Sequence, residues 1–280
     1  MPYRALRPLE PAGEGADAYD AWLAELADRL EDPDTDRNEL CRQTLRDIYF
    51  PALPRDVDPE DLPAATRAAL ANLDPRNVTL EPEYYEDIDA ERYYPRKPLI
   101  WLWQMFDRSP LGGNVHLGVR LRRLLAPHVF ASVGRNFKAF HFVEVSFGYN
   151  LDVGDDVVIH RNVLLDDRGG ITLGDDVSVA DYASIFSHTH SIEDIGDVTN
   201  ARTVLEDGVR VTYGAIVLAG VHVGKEGMIG ARAVATRDVR PYHVNVGVPA
   251  KTVAVKSKAP PELRSKTTLD GRDREGPGRG

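Results

Sequence analysis

The chain has almost no cysteine and no long hydrophobic segment. Cys41 is the single cysteine among 280 residues, which excludes an intrachain disulfide and a cysteine-based metal cluster. No apolar run of about 18 residues occurs, and the opening stretch MPYRALRPLEPAGEG lacks the apolar core of a signal peptide. These absences predict a soluble protein of a reducing compartment, and we expect it in the cytoplasm.

An excess of positive charge is also lacking. The 34 basic and 44 acidic residues give a net charge of −10, which argues against a protein that binds nucleic acid by neutralising phosphates. One segment differs: between Arg92 and Lys138 the chain has nine basic residues, and Asp107 is the only acid.

Residues 98–138 within this segment are apolar as well as basic. They could contact an anionic membrane surface, because aromatic and aliphatic side chains lie beside arginines. Alternatively, they pack as a helical layer on the neighbouring domain and leave their arginines in solvent. We favour packing, because it is the commoner role of such a segment.

The first 138 residues are expected to form a helical region. Apolar residues recur at helical spacing over residues 17–30 and 37–50. A third helix is expected over residues 59–73, with Pro59 in its first turn. Cys41 is expected to be buried in this layer as a small hydrophobic residue, because no histidine lies within 70 residues of it in the sequence.

The strongest pattern is a six-residue period between residues 153 and 235. In three runs, aliphatic residues recur every sixth position, which the 42% hydrophobic content would produce by chance with a probability of about 3 × 10⁻⁵. A second column of small or β-branched residues follows each aliphatic by four positions. The aliphatic positions are Val153, Ile159, Leu165, Leu173, Val179, Ile185, Leu205, Val211, Val217, Val223, Ile229 and Ala235.

This period predicts a parallel β-helix. A short strand with an inward aliphatic, followed by a turn such as Val153-Gly-Asp-Asp, describes one side of a coil, and three sides complete one turn of a triangular prism. Neither an amphipathic helix nor a hairpin has period six. We therefore predict a mainly β fold, with a β-helix over 139–255, the helical region over 1–138, and a disordered tail over 256–280. Because the flat walls of a prism offer no pocket, we expect an oligomer.

The repeats resemble those of the hexapeptide acyltransferases, and most closely those of the maltose and galactoside O-acetyltransferases. The segments VGDDVV, LGDDVS and VGKEGMIGARAV carry the resemblance, together with the closing stretches ATRDV and VGVPAK. It spans about residues 153–253. In this family the coils form a left-handed β-helix, three chains assemble, and acetyl-CoA lies in the groove between two of them. The resemblance thus implies a homotrimer that uses acetyl-CoA as co-substrate.

The repeat breaks between Ile185 and Leu205, where the polar stretch SHTHSIED departs from the pattern. In the family a loop leaves the coil here, and the histidine of a Thr-His-Pro motif is the catalytic base. Thr189-His190-Ser191 matches that motif with serine in place of proline. The resemblance implies that His190 takes the proton of the acceptor hydroxyl as it attacks the thioester directly. His188 is expected to orient the loop or to bind substrate.

The resemblance also implies the remaining site residues. Asn162, Asp166 and Asp167 match positions that hold the acceptor hydroxyls. Gly214 and Ala215 match small residues whose backbone approaches the pantetheine of CoA, and Thr236, Arg237 and Lys251 match positions near its nucleotide and phosphates. The long N-terminal region departs from the family's short helical cap, and Arg210 replaces an aromatic residue. The acceptor is therefore open: a hydroxyl of a sugar, glycan precursor or small natural product, or an amine.

Two other functions stay open. A metal hydratase of the γ-carbonic anhydrase type would use His160, His188 and His190, but that family places two of its histidines five positions apart, whereas 188 and 190 are two apart. A non-catalytic trimeric scaffold is the second alternative, against which the polar excursion with its histidines argues. We therefore predict a CoA-dependent O-acyltransferase that needs no metal.

Overall fold

The computed structural model describes residues 11, 14–85, 87–194 and 196–264. The chain divides into two compact units, Met1–Leu125 and Ala126–Gly280. In the described parts of the chain, no helix is long and apolar enough to cross a membrane.

The N-terminal unit is helical. Its first two helices begin and end within two residues of the predicted bounds. Two short 3₁₀ turns lie at Pro59–Asp61 and Pro75–Asn77. The helices are α1 Gly15–Glu31, α2 Arg37–Tyr49, α3 Ala64–Asn72, α4 Glu81–Tyr84, α5 Ala90–Tyr93, α6 Lys97–Arg108 and α7 Val115–Val129, which continues past the unit boundary.

The prediction of one continuous third helix over residues 59–73 is wrong. The 3₁₀ turn at Pro59–Asp61 ends at Leu62, whose backbone is extended (ψ 149°), and α3 begins only after Pro63. The ring of a proline disfavours helical backbone at the residue before it, so Pro63 forces Leu62 out of the helix. Cys41 is fully buried in α2, as expected, and burial raises the pKa of its thiol.

The apolar part of the basic segment lies in the core of the helical unit. Leu99, Leu102 and Phe106 of α6 are fully buried; packing of this layer on the neighbouring domain stays a prediction. Arg122 of α7 differs from the expectation that the arginines lie in solvent, since its side chain is also buried. Its Nε donates to Asp107 Oδ1 at 2.8 Å, and Nη2 donates to the carbonyl of Gly112 at 2.9 Å. The only acid of the segment is therefore the partner of a buried guanidinium.

The C-terminal unit is a parallel β-solenoid. In chain order its strands are β1 Ser132–Val133, β2 Lys138–Ala139, β3 Val143–Val145, β4 Leu151–Val153, β5 Val158–Ile159, β6 Val163–Asp166, β7 Ile171–Leu173, β8 Ser178–Val179, β9 Ser184–Phe186, β10 His188–His190, β11 Val198–Asn200, β12 Thr203–Leu205, β13 Arg210–Val211, β14 Ile216–Val217, β15 His222–Val223, β16 Met228–Ile229, β17 Val234–Ala235, β18 His243–Val246 and β19 Lys251–Val255. Three sheets form the walls: β1-β4-β7-β12-β15, β2-β5-β8-β13-β16-β18-β19 and β3-β6-β9-β14-β17.

The burial and the register of the aliphatic column confirm the predicted six-residue period. All twelve positions are at most 4% exposed, and they lie in register from coil to coil, as Leu173 does beside Leu205. The solenoid begins earlier than the predicted boundary at residue 139, because Val133 and Ala139 pair with Val153 and Ile159. Each coil therefore covers the apolar interior of the next, which is the source of stability in a solenoid.

Carboxylates link the corners of successive coils. Asp175 Oδ1 accepts a hydrogen bond from Asp155 N at 2.7 Å, and Asp207 Oδ1 accepts one from Asp175 N at 3.1 Å. Gly154 must be small here, because a Cβ on it would lie 2.5 Å from Asp175 Oδ1. Asp156 then turns the chain with a φ of 60°. The turn predicted for the Gly-Asp-Asp repeats is thus the corner of the prism.

Part of the predicted disordered tail is placed against the solenoid. Lys256 Nζ lies 3.2 Å from Glu226 Oε2, Lys258 pairs with the same carboxylate, and Ala259 is 1% exposed. A short helix, α8, follows at Pro261–Arg264. The rest of the predicted tail, residues 265–280, lies outside the described residues.

Candidate functional site

The polar interruption of the repeat is a hairpin that leaves one wall of the solenoid. Its strands β10 and β11 pair antiparallel, with His188 opposite Asn200 and His190 opposite Val198. The departure point is fixed by Ser187, which is fully buried and donates from Oγ to the carbonyl of Asp166 at 2.5 Å. Thr203 fixes the return by donating to the carbonyl of Phe186 at 2.6 Å. The hairpin therefore has a rigid base.

Asp166 and the two loop histidines lie together at this base. His188 Nδ1 is 2.5 Å from Asp166 Oδ2, and the two side chains are 12% and 5% exposed. The angle at the ring nitrogen does not meet the geometry of a hydrogen bond, so this is a close polar contact between imidazole and carboxylate. The ring of His190 meets that of His188 edge to face, with centroids 5.1 Å apart and planes at 83°. His190 itself is exposed.

The other predicted acceptor residues do not join this cluster within one chain. Asn162 is exposed at the opposite end of β6 from Asp166, about 13 Å along the strand. Asp167 is fully buried, and its carboxylate accepts hydrogen bonds from Phe147 N at 2.7 Å and Asn150 N at 3.1 Å. Asp167 therefore holds the turn of the coil below and is closed to an acceptor.

Burial raises the pKa of Asp167 from 3.8 to about 6, although backbone N–H donors oppose the shift. A folded-state pKa above the unfolded value stabilises the fold below about pH 4, and this stabilisation is lost as the pH rises through about 6. We expect Asp167→Asn, which does not titrate, to lose this dependence. The free energy of unfolding of the wild type minus that of the variant should be about 2 kcal/mol more positive at pH 4.5 than at pH 7.5. Denaturant unfolding followed by far-UV circular dichroism measures it, and an equal gap at both pH values would refute the coupling.

The residues predicted to bind CoA differ in accessibility. Gly214 has a φ of 62°, and a Cβ there would meet only Arg232 Cγ, at 3.5 Å. The side chain of Ala215 is buried in the core, so only its backbone can face a ligand. The three remaining residues are exposed: Thr236 and Arg237 after β17, and Lys251 at the start of β19. In the described part of the chain, no ion pair or side-chain hydrogen bond engages either Arg237 or Lys251, so both cations can meet an anion.

Some site features were not found in the sequence. Ser187 and Thr203 lie at the two ends of the break in the period. This position was the only feature of the sequence that could have indicated their role in anchoring the hairpin. Ser146, which donates to Asp166 Oδ1 at 3.4 Å, lies 20 residues earlier, one coil below. The aromatic corner beside Gly214 was also missed: the rings of Tyr182 and Tyr213 are 5.5 Å apart.

No three histidine, cysteine or acidic residues gather as a metal site in the residues that the structure describes. His160, one of the three histidines of the hydratase alternative, stacks on Phe140 with centroids 5.0 Å apart and planes at 3°. It is half-buried there, and burial lowers its pKa.

The chain is similar in sequence to several acetyltransferases, although no family model matches it. The galactoside O-acetyltransferase of Escherichia coli (strain K12) is 27% identical over 139 residues, which cover 48% of this chain and 68% of that protein. The galactoside O-acetyltransferase of Lactococcus lactis is 29% identical over 185 residues, 60% of this chain and 85% of that protein. The serine acetyltransferase of Salmonella typhimurium is 28% identical over 121 residues, and the chain spans less than half of its length, 44%.

The solved structures show the same fold. A galactoside acetyltransferase in complex with coenzyme A matches with a TM-score of 0.53 and 22% identity, over 60% of this chain and 83% of that one. A maltose O-acetyltransferase from Clostridium difficile matches with a TM-score of 0.52 and 23% identity, over 59% and 87%. With its stacked six-residue repeats and its interrupting hairpin, the chain is similar in sequence to these acetyltransferases and shares the fold of the solved ones.

Proposed function

We propose that the chain transfers an acetyl group from acetyl-CoA to a hydroxyl of a sugar or a similar small acceptor. The observation that carries this proposal is the anchored hairpin, which presents two histidines outside the wall of a hexapeptide-repeat fold. The named activities of the relatives support a hydroxyl acceptor of the galactoside type. A scaffold would have no need of a rigid base beneath two histidines.

In this proposal His190 is the general base. An imidazole can be neutral near physiological pH and still accept a proton. His190 takes the proton of the acceptor hydroxyl while the oxygen attacks the thioester carbonyl carbon, and backbone N–H groups stabilise the oxyanion that forms. The C–S bond then breaks, and the departing CoA thiolate takes the proton back from the imidazole. The products are the acetyl ester and free CoA, with no acyl-enzyme.

Arg237 and Lys251 are proposed to bind the phosphates of CoA, with Thr236 beside them and the backbone of Gly214 and Ala215 against the pantetheine arm. The exposure of the two cations and their lack of partners among the described residues support this role. We expect Arg237→Ala and Lys251→Ala each to raise the Kd for CoA about tenfold, the effect of losing one charged hydrogen bond. Titration calorimetry measures it.

Lys225→Ala is the matched control, because this exposed lysine already pairs with Asp207 at 3.3 Å. Its Kd for CoA should stay within about twofold of the wild type. Equal weakening by all three variants would contradict specific phosphate contacts and indicate only a general effect of net charge.

We also propose that three copies assemble with CoA between them. The outward row of the third sheet is mostly aliphatic and half-buried, which suits packing against another copy. It consists of the exposed Glu144 in the first coil and of Leu164, Ser184, Ile216 and Val234. Asn162, which lies apart from His190 in one chain, would then face the site of a neighbour. Light scattering in solution measures the assembly. A cytoplasmic location stays a prediction.

The test is an assay with the full-length chain, acetyl-CoA and a panel of sugars and amino sugars, with release of free thiol as the readout. Acceptor-dependent release, unchanged after treatment with a chelator, is the expected result. Binding of CoA without release would show that the acceptor or acyl chain lies outside the panel. No binding of CoA would overturn the proposal and favour the scaffold, and metal-dependent hydration of CO₂ would favour the hydratase.

A further inference from the structure

The sequence predicts that Asp166 holds the acceptor, whereas the structure gives its carboxylate two protein partners. Asp166 is 4% exposed. Oδ1 receives the hydroxyl of Ser146 from the coil below, and Oδ2 faces His188 Nδ1 from the hairpin above. The carboxylate thus links the solenoid wall to the hairpin and has little surface left for an acceptor.

His188 is held on one side and open on the other. Its Nδ1 is buried beside Asp166, whereas Nε2 on the opposite edge of the ring is not among the buried atoms. Its ring packs edge to face with that of His190, the exposed base of the proposed reaction. An exposed imidazole on a hairpin strand has two free torsions, and a fixed neighbouring ring restricts them.

We propose that Asp166 and His188 are a positioning pair that acts through His190. Asp166 fixes the His188 ring, His188 fixes the His190 ring, and the carboxylate charge stabilises the imidazolium that His190 becomes when it takes the acceptor proton. This inference rests on the proposed acetyl transfer. It assigns to the pair the role that an aspartate plays behind a catalytic histidine, with a second histidine between them.

The titratable and charged groups at the base and on the hairpin come from two stretches of the chain. Asp166, Asp167 and Arg168 lie at and just after the end of β6, and the hairpin carries His188, His190, Glu193, Asp194 and Asp197. The facing strand β11 contributes Val198, Thr199 and Asn200, none of which titrates. Asp167 accepts hydrogen bonds from backbone N–H groups, and among the described carboxylates Asp166 is the one in contact with His188.

The first experiment measures the titration of His190 directly. Proton NMR of the imidazole Cε1–H, assigned by comparison with His190→Ala, follows His190 in wild type and in Asp166→Asn. A nearby anion favours the protonated imidazole, so its removal should lower the pKa of His190 by about half a unit or more. Asp181→Asn is the matched control, because Asp181 pairs with Arg161 at 2.7 Å at the corner between the second and third sheets, away from the corner where the hairpin leaves and returns. This readout requires no activity, so it tests the pair even if the proposed function fails.

The second experiment is a double-mutant cycle on the rate of acetyl transfer. Asp166→Asn should lower kcat about 10- to 100-fold with KM within about threefold, because it acts on the proton transfer and not on binding. In a His188→Gln background the same substitution should cost less than about threefold, since the intermediate ring is gone.

Five outcomes decide the matter. A lowered His190 pKa with a non-additive cycle supports the pair. An unchanged pKa, or a cycle in which the effects simply multiply, overturns it and leaves Asp166 as a structural link. Full activity of His188→Gln overturns it as well. Activity that survives in His190→Ala but not in His188→Gln would overturn it by making His188 the base. A wild type that transfers no acetyl group refutes the proposed function instead.

Discussion

His190→Ala is expected to lower kcat for acceptor-dependent thiol release by about 10²- to 10⁴-fold, the usual contribution of a general base. The KM for acetyl-CoA should change little, because Ser187 and Thr203 fix the base of the hairpin without the side chain at 190. Initial rates of thiol release at saturating acetyl-CoA measure the effect. Both proteins must show the same circular dichroism spectrum and the same assembly.

His222→Ala is the control for this experiment. His222 is also exposed on the solenoid and pairs with Glu206 at 2.7 Å; it lies on β15, beside the strand β12 that follows the hairpin. Its rate should stay within about twofold of the wild type. If His190→Ala stays within threefold as well, His190 is not the base.

Asp107→Ala is expected to lower the free energy of unfolding of the helical unit by about 3–5 kcal/mol. The substitution leaves the Arg122 guanidinium buried without its counter-charge, and an uncompensated buried charge is among the costliest of single changes. All three tryptophans, Trp22, Trp101 and Trp103, lie in this unit. Tryptophan fluorescence during urea unfolding therefore reports the helical unit separately from the solenoid.

Asp20→Ala provides the comparison. Asp20 of α1 pairs at 2.6 Å with Arg120, which lies on α7 as Arg122 does, but the Asp20 side chain is 61% exposed. An exposed pair contributes about 0.5 kcal/mol or less. Replacing both buried partners, as in Asp107→Leu with Arg122→Met, should recover most of the loss, since no charge then stays buried. Similar losses from Asp107→Ala and Asp20→Ala would show that the buried pair has no special cost.

The solenoid could be predicted from the sequence because its period is local. Each aliphatic such as Val179 recurs six positions later, and the stacking of coils then follows without knowledge of any distant contact. The break at Pro63 was missed because the apolar pattern on both sides still fits a helix. In that case the covalent geometry of one proline outweighs the spacing of several side chains.

The contacts at the site could be predicted only in part. The break in the repeat located the hairpin, but the approach of Asp166 to His188 joins residues of different coils, and it depends on where the chain leaves the wall. Asp166 and Asp167 are adjacent residues of the same type, yet Asp166 faces the hairpin and Asp167 is enclosed by the turn of the coil below. Asp166 is the last residue of β6 and Asp167 the first after it, and the residue types alone do not reveal which side chain points where.

The anchored base of the hairpin bears on how the acceptor range of such a protein can change. Ala201 N donates to the carbonyl of Ser187 at 2.8 Å, so the chain leaves the third sheet after β9 and returns, at the same corner, to β12 of the first sheet. The segment between them can therefore be lengthened, shortened or exchanged with no shift in the register of the coils above and below. Under the proposed function, a new acceptor pocket could be grafted there on an unaltered solenoid.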